Sequence, residues 1–456
     1  MPEGSTPALQ AAGAVPLRAR VRRILALALP IIGGMLSQNL LNLVDTAMVG
    51  RLGAPALAAV GLGGMVNWLS SAFFLGMGAG VQAIAARRSG EGRPGEAVEA
   101  LHAALVVGLF VFVPLSLLLA TQTRFLFGLL TSDPEVAALG APYLACRMAA
   151  SGFVVANFAF RGFWNGTGRS TVYLSTILVI HAVNILLNWV LIYGHLGAPR
   201  LGVLGAGISS AVAVATGTGI YVLLARRHAG ADGFLSRGRF SRAAVGAVLR
   251  LSVPAGLQGA FLAAGFVLFY RLAELLGTRQ LAATNVLINL SMVCILPAMG
   301  FGLAAATLVG QALGAGDRKG AASWGWTTVG LASGEMLLLG LVLAIAPDTW
   351  LGLLANDRQT QALARVPLVL LAMLQPLDAV GVVLSQSLLG AGAVRRVMVV
   401  SIVLQWGVFL PVAYLWGVKG GGGLLALWIS LGVWRSAFSA VMLLLFWRGG
   451  WTAAKV

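Results

Sequence analysis

Gln38-Asn39-Leu40-Leu41-Asn42-Leu43-Val44-Asp45-Thr46-Ala47-Met48-Val49-Gly50 closes the first long apolar stretch of the chain, which begins just after the bases Arg18, Arg20, Arg22 and Arg23. A helix starting at Arg23 carries Asp45 about 33 Å along its axis, at about 1.5 Å per residue. A carboxylate so deep in an apolar helix is costly in lipid. Such groups usually face a bundle interior or a wet cavity where ions or protons are handled. The plainer alternative is that Asp45 marks only the helix end at the outer interface.

The rest of the chain supports a membrane reading. Of its 456 residues 59% are hydrophobic and 10% charged, whereas a soluble protein carries about 25% charged residues. Mean hydropathy is +0.90. The 60 glycines would weaken helices in water, but in lipid small residues let helices approach closely. The net charge of +17 does not point to nucleic acid, because the bases concentrate in alternate loops. Cys146 and Cys294 lie in apolar stretches, too few for a disulfide framework and without neighbours for a metal site. The apolar run between Arg23 and Ala26-Leu27-Ala28 is too short for a signal-peptide core, so the first span is expected to stay uncleaved.

Twelve apolar stretches can cross a hydrocarbon core of about 30 Å: 23–50, 55–86, 97–121, 136–163, 170–194, 203–226, 244–273, 279–312, 320–346, 361–389, 396–417 and 423–447. Most bases fall in the N-terminal tail and every second loop. The opposite loops hold only Arg51, Arg124, Arg200, Arg271, Arg279, Arg358, Arg365 and Lys419. Both termini are therefore expected in the cytoplasm of a multi-pass inner (plasma) membrane protein. The expected order is a cytoplasmic tail (1–22), a six-helix lobe (23–226), a basic cytoplasmic linker (227–243), a second six-helix lobe (244–447) and a tail (448–456).

The halves repeat at an offset of 224. Leu27 and Pro30 match Leu251 and Pro254; Gly76, Gly78, Gly90 and Gly92 match Gly300, Gly302, Gly314 and Gly316; Gly166 and Gly168 match Gly390 and Gly392. Six spans is an even number, so both halves insert the same way up. The expected fold is an all-α integral membrane protein, with twelve transmembrane helices in two lobes related by a pseudo-two-fold axis along the membrane normal. That plan places a transported substrate between rocking lobes.

The repeat breaks at Asp45, which faces Phe269 at the same offset, and Ala47 faces Arg271. Ion handling is thus expected in the first lobe. On the fifth span His181, Asn184 and Asn188 share one helical face. Gly205, Gly207, Ser209 and Ser210 open the sixth span, so Asp45, Asn184, Asn188 and Ser210 are expected at one depth. The asparagines also fit plain interhelical glue. His181, deeper, reads first as a hydrogen-bond partner for a neighbour and second as a proton relay. Gln38, Asn42, His181, Gln258, Gln375 and Asp378 are candidate substrate or second-lobe contacts. Asp378 follows Pro376, expected to interrupt its helix and free carbonyls for a cation. Glu335, Arg147 and Arg435 are further intramembrane charges whose partners the sequence leaves open.

These motifs resemble the multidrug and toxic compound extrusion (MATE) family, most of all its DinF-like branch. The resemblance rests on Leu43-Val44-Asp45-Thr46-Ala47-Met48-Val49-Gly50-Arg51-Leu52-Gly53, Asn184-Ile185-Leu186-Leu187-Asn188, Gly202 to Ala206, and Gln375-Pro376-Leu377-Asp378. It implies export of bulky amphipathic cations by antiport with protons or sodium, with Asp45 as the coupling residue and Asn184, Asn188 and Ser210 around it. No cofactor is expected, no metal beyond a weaker sodium possibility, and the chain is expected to be a monomer in the bilayer. Some relatives have a second Asp where Asn188 stands, so sodium at Asp45 and Asn184 is the weaker expectation and proton coupling the simpler one. Ser385 stands where a DinF-like acid is expected, and Asp378 is closer to the NorM-like pattern. A lipid-linked precursor flippase would need several cavity bases. A membrane transferase would need a catalytic cluster that His102, His181, His195 and His228 do not form.

Overall fold

The computed structural model describes residues 15–236, 241–355, 357–454 and 456. Residues 1–14 of the expected tail, Arg237 and Arg239 of the expected linker, and Lys455 lie outside them. Among the described residues the chain is helical, without strands.

The first half holds α1 (Leu17–Gly50), α2 (Ala54–Gly90), α3 (Pro94–Thr121), the short α4 (Thr123–Leu130), α5 (Pro134–Ala149), α6 (Ser151–Gly166), α7 (Ser170–Tyr193) and α8 (Val203–Ala229). The second holds α9 (Arg242–Leu276), α10 (Thr278–Gly314), α11 (Arg318–Ile345), the short α12 (Pro347–Leu354), α13 (Arg358–Gly390), α14 (Val394–Lys419) and α15 (Gly423–Trp447). Eleven of these helices are long and apolar enough to cross a membrane. α5 and α6, bent by 45° at their junction, make a twelfth when taken as one span. At that bend the Ser151 hydroxyl donates to the Arg147 carbonyl at 3.4 Å, and such back-bonding bends helices.

Helix ends recur at the offset read from the sequence. α2 and α10, α3 and α11, and α4 and α12 begin and end 224 residues apart; so do the starts of α5 and α13, and of α7 and α14. The turns recur as well. Gly53 and Gly277, Gly92 and Gly316, and Gly168 and Gly392 all have positive φ, a conformation that costs glycine least. Asp133 and Asp357 cap α5 and α13 through backbone N–H groups.

The chain divides into two compact units. One takes the chain up to Ile32, Ala86–Arg93 and Phe261–Val456; the other takes Gly33–Ala85 and Pro94–Ala260. The divide therefore falls inside α1, α2 and α9. In the first unit, the leading turns of α1 fasten to α10 and α11. Arg20 donates to the hydroxyls of Ser323 and Thr327, Arg23 donates to Gln311 Oε1 at 3.3 Å, and its guanidinium lies over the Trp324 ring. These bases, expected at the edge of a tail, sit on a helix that starts at Leu17, since nothing between Pro16 and Pro30 interrupts it. In the same unit the ends of α2 and α10 meet reciprocally. A side chain at Gly90 would strike the Gln311 carbonyl, and one at Gly314 the Arg87 carbonyl. In the other unit, the leading half of α9 lies on α2, where Gly76 faces the Gly256 backbone too closely for any Cβ.

Candidate functional site

α1 continues past Pro30 without a break and brings Asp45 beside α7. The Asn188 amide donates to Asp45 Oδ1 at 2.7 Å and to Asn184 Oδ1 at 3.1 Å. Asn184 in turn donates to Ser210 Oγ on α8 at 3.2 Å. Turning the Asn184 amide over gives a second arrangement: its NH2 then lies 3.0 Å from Asp45 Oδ1, and its oxygen accepts from the Ser210 hydroxyl and N–H at 3.2 and 3.3 Å. In that state the carboxylate takes two N–H donors, which an ionised carboxylate favours, and the Asn188–Asn184 bond is given up, because the two NH2 groups then face each other at 3.1 Å. Asn184, Asn188 and Ser210 are buried and Asp45 partly so.

Local sequence explains the convergence. Gly205 lets α8 approach the Leu191 carbonyl of α7, where a Cβ would come within 2.6 Å. Ser209 spends its hydroxyl on the Gly205 carbonyl at 2.8 Å, leaving Ser210 to meet Asn184. Tyr193, in the Leu191-Ile192-Tyr193-Gly194 stretch that follows the asparagines, donates to the Met48 carbonyl at 2.7 Å and ties the ends of α7 and α1 together. Its position four residues after Trp189, at the polar end of the span, was the available signal.

One level deeper, a second rung joins the same two helices. The His181 Nε2 and Gln38 Oε1 atoms lie 3.2 Å apart, and the Gln38 amide donates to Asn42 Oδ1 at 3.3 Å. Gln38, Asn42 and Asp45 thus form a row on α1 opposite His181, Asn184 and Asn188 on α7. Gln258 lies apart in sequence on α9, in the glycine-lined stretch that meets α2.

In the other unit, Gln375 and Asp378 are buried on α13. The helix runs unbroken through Pro367 and Pro376, contrary to the expected interruption. The Pro376 carbonyl receives the Ser333 hydroxyl at 3.1 Å. Ala372, whose carbonyl loses its usual partner to the proline, is covered by Gly340. The cation that Asp378 receives is Arg435 on α15, at 2.9 Å. Glu335 on α11 and the Gln375 amide have no hydrogen-bond partner among the described residues. Ser385 donates to its own helix at Val382.

Comparison with known proteins accords with this repeat. The MatE family model matches twice, over residues 30–190 and 254–415, so the matches begin 224 residues apart. A probable multidrug resistance protein NorM from Pseudomonas putida is 30% identical over 428 residues, covering 90% of each chain. A probable NorM protein from Thermotoga maritima is 24% identical over 441 residues, covering 95% of this chain and 94% of its own. Among solved structures, a MOP superfamily transporter from Pyrococcus furiosus, described as having a binding pocket of reversed polarity, superposes with a TM-score of 0.87 at 21% identity, covering 99% of this chain and 100% of its own. The chain belongs to the MatE family of multi-pass membrane transporters and is not an enzyme.

Proposed function

We propose that this protein exports amphipathic, mostly cationic compounds from the cell, driven by proton entry, and that Asp45 is the group that takes up the proton. The observation carrying this reading is the polar row around Asp45: one carboxylate linked through two asparagines to a serine on the neighbouring helix. The NorM relatives, named for multidrug resistance, support the cargo class. Their name favours no DinF-like assignment, which rests on the first-half motif alone.

Protons suit this row better than sodium. Asn188 presents its NH2 to Asp45, and so does Asn184 in its second orientation. A sodium cage would want both amide oxygens turned to the carboxylate, because hard cations take oxygen ligands, and Asn188 presents its NH2 there instead. A proton on Asp45 removes the charge that these donors serve, and a cationic cargo competes with it. Each ligand then lowers the affinity for the other by one common factor, which is antiport in thermodynamic terms.

On this reading the protein works as a monomer in the plasma membrane with both termini cytoplasmic, its lobes rock about the substrate, and no cofactor is needed. A flippase for a polyanionic lipid precursor would need several free cavity bases, whereas Arg435 is engaged by Asp378 and Arg147 acts electrostatically on Asp45. The test is proton release from purified protein on addition of an ethidium-like cation, with and without sodium. Release independent of sodium supports the reading; dependence on sodium overturns proton coupling.

A further inference from the structure

The His181–Gln38 rung has a counterpart in the other half. At the 224-residue offset, His181 corresponds to Gln405 and Gln38 to Leu262, and the Gln405 amide donates to the Leu262 carbonyl at 3.2 Å. Holding α14 against α9 at this level therefore needs only an amide. The first half has an imidazole in the same place.

With the Gln38 NH2 directed to Asn42, Gln38 faces His181 with its oxygen, and the tautomer that completes the rung carries its proton on Nε2. In the neutral ring Nδ1 then carries the lone pair. His181 is 6% exposed, and Nδ1 has no hydrogen-bond partner among the described residues. A lone imidazole with one nitrogen tied and the other bare can gain and lose a proton without breaking its rung, because Nε2–H donates to Gln38 in both states.

We propose that His181 is the second proton-carrying group of the transport cycle, resting on the assignment of Asp45 above. The proton leaving Asp45 is taken up at His181 Nδ1, the carboxylate and an imidazolium result, and the imidazolium then releases it toward the end at which α7 begins. His181 lies three residues, about 4.5 Å of helix rise, below Asn184. On the helices packed around α7 the charged or titratable groups are Asp45 and the leading bases Arg18, Arg20, Arg22 and Arg23 on α1, Glu135, Tyr143, Cys146 and Arg147 on α5, Arg161 on α6, and Tyr221, Arg226, Arg227 and His228 on α8, with Tyr173 and Tyr193 on α7 itself. Of the carboxylates Asp45 and Glu135, Asp45 is the one hydrogen-bonded to α7, through Asn188, and free imidazole titrates near neutrality.

The experiment uses His181→Gln, which installs the residue that the other half uses for the same rung, beside Asp45→Asn, in proteoliposomes loaded with an ethidium-like dye. Dye transport is followed as a function of pH on the side where α7 begins. For wild type we expect a limb in the imidazole range. His181→Gln should lose that limb and slow proton-driven transport about 100-fold, the usual scale for removing a proton-transfer group. Imidazole added to His181→Ala should restore part of the rate, and imidazoles of lower basicity should restore less. A His181→Gln protein with the wild-type rate and pH profile, while Asp45→Asn is inactive, would overturn the relay and leave the role of Asp45 intact. If Asp45→Asn keeps proton-driven transport, the underlying reading fails instead.

Discussion

The two halves share their helix ends and turns, yet differ at the one level where chemistry is expected. In the first, α1 and α7 face each other with Asp45, Asn184 and Asn188. In the second, Phe269 takes the place of Asp45, fully buried, with its ring centroid 5.5 Å from Phe409 and 5.6 Å from Trp428. Around the levels of Asn184 and Asn188, α14 has Val408, Phe409, Val412 and Ala413. One scaffold therefore carries a hydrogen-bonded carboxylate in one copy and an aromatic core in the other. α14 is also two residues longer than α7 and has π-turns at Val403–Phe409 and Ala413–Lys419, where α7 has none. Wider turns take in extra residues without breaking the span, and they often mark sites where geometry is adapted.

The sharpest way to break this comparison is to move the carboxylate. Phe269→Asp removes the centre of the aromatic cluster and buries an unpaired acid. We expect a loss of at least the roughly 3–5 kcal/mol typical of Phe→Ala in a core, read as failure to purify a monodisperse protein. A tolerated Phe269→Asp would mean that the second half is not committed to its apolar filling.

Next in size is the Asp378–Arg435 pair. Removing one partner strands a buried charge, and Arg435→Met alone should cost about 3–5 kcal/mol of stability. Arg435→Met with Asp378→Leu should recover most of it, because replacing both charges is often neutral or better. Thermal unfolding monitored by tryptophan fluorescence tests both. If the double variant is stable but loses proton release, the second half shares in coupling.

Much of this was legible in the chain before any coordinates. Span lengths and the 224-residue offset are linear properties, so apolar run length and matched glycines expose them. The depth of Asp45, Asn184, Asn188 and Ser210 follows from helix rise alone. What stays hidden depends on side-chain reach across helices. Nothing in the spacing of Asp378 says that Arg435, from α15, will reach it, and Pro376 looks like a break until Gly340 is seen to pack over the Ala372 carbonyl that it frees. The bases before Ile24 read as a tail edge, because their partners Ser323, Thr327 and Gln311 lie some three hundred residues away in sequence. His181 and Gln38 each stand out as polar residues in apolar spans, but their pairing needs the register of α1 against α7.

Smaller effects sharpen the first-half site. Asn184→Ala removes one amide from the row and should weaken coupling by about 1–3 kcal/mol, the range for leaving a buried partner unsatisfied. It should be seen as a lower proton yield per substrate bound. Ser210→Ala, one bond further from the carboxylate, should cost about 0.5–1.5 kcal/mol and shift the yield less. The reverse order would place the key contact on α8 rather than α7.

The central claim, that Asp45 carries the proton exchanged for cargo, is tested most directly by substrate-induced proton release from purified, folded Asp45→Asn protein. Asparagine copies the shape and neutrality of the protonated acid, so we expect a normally inserted protein that releases no protons when an ethidium-like cation is added. Full proton release from Asp45→Asn, with release abolished by Asp378→Asn, would contradict it and move the coupling site to the second half.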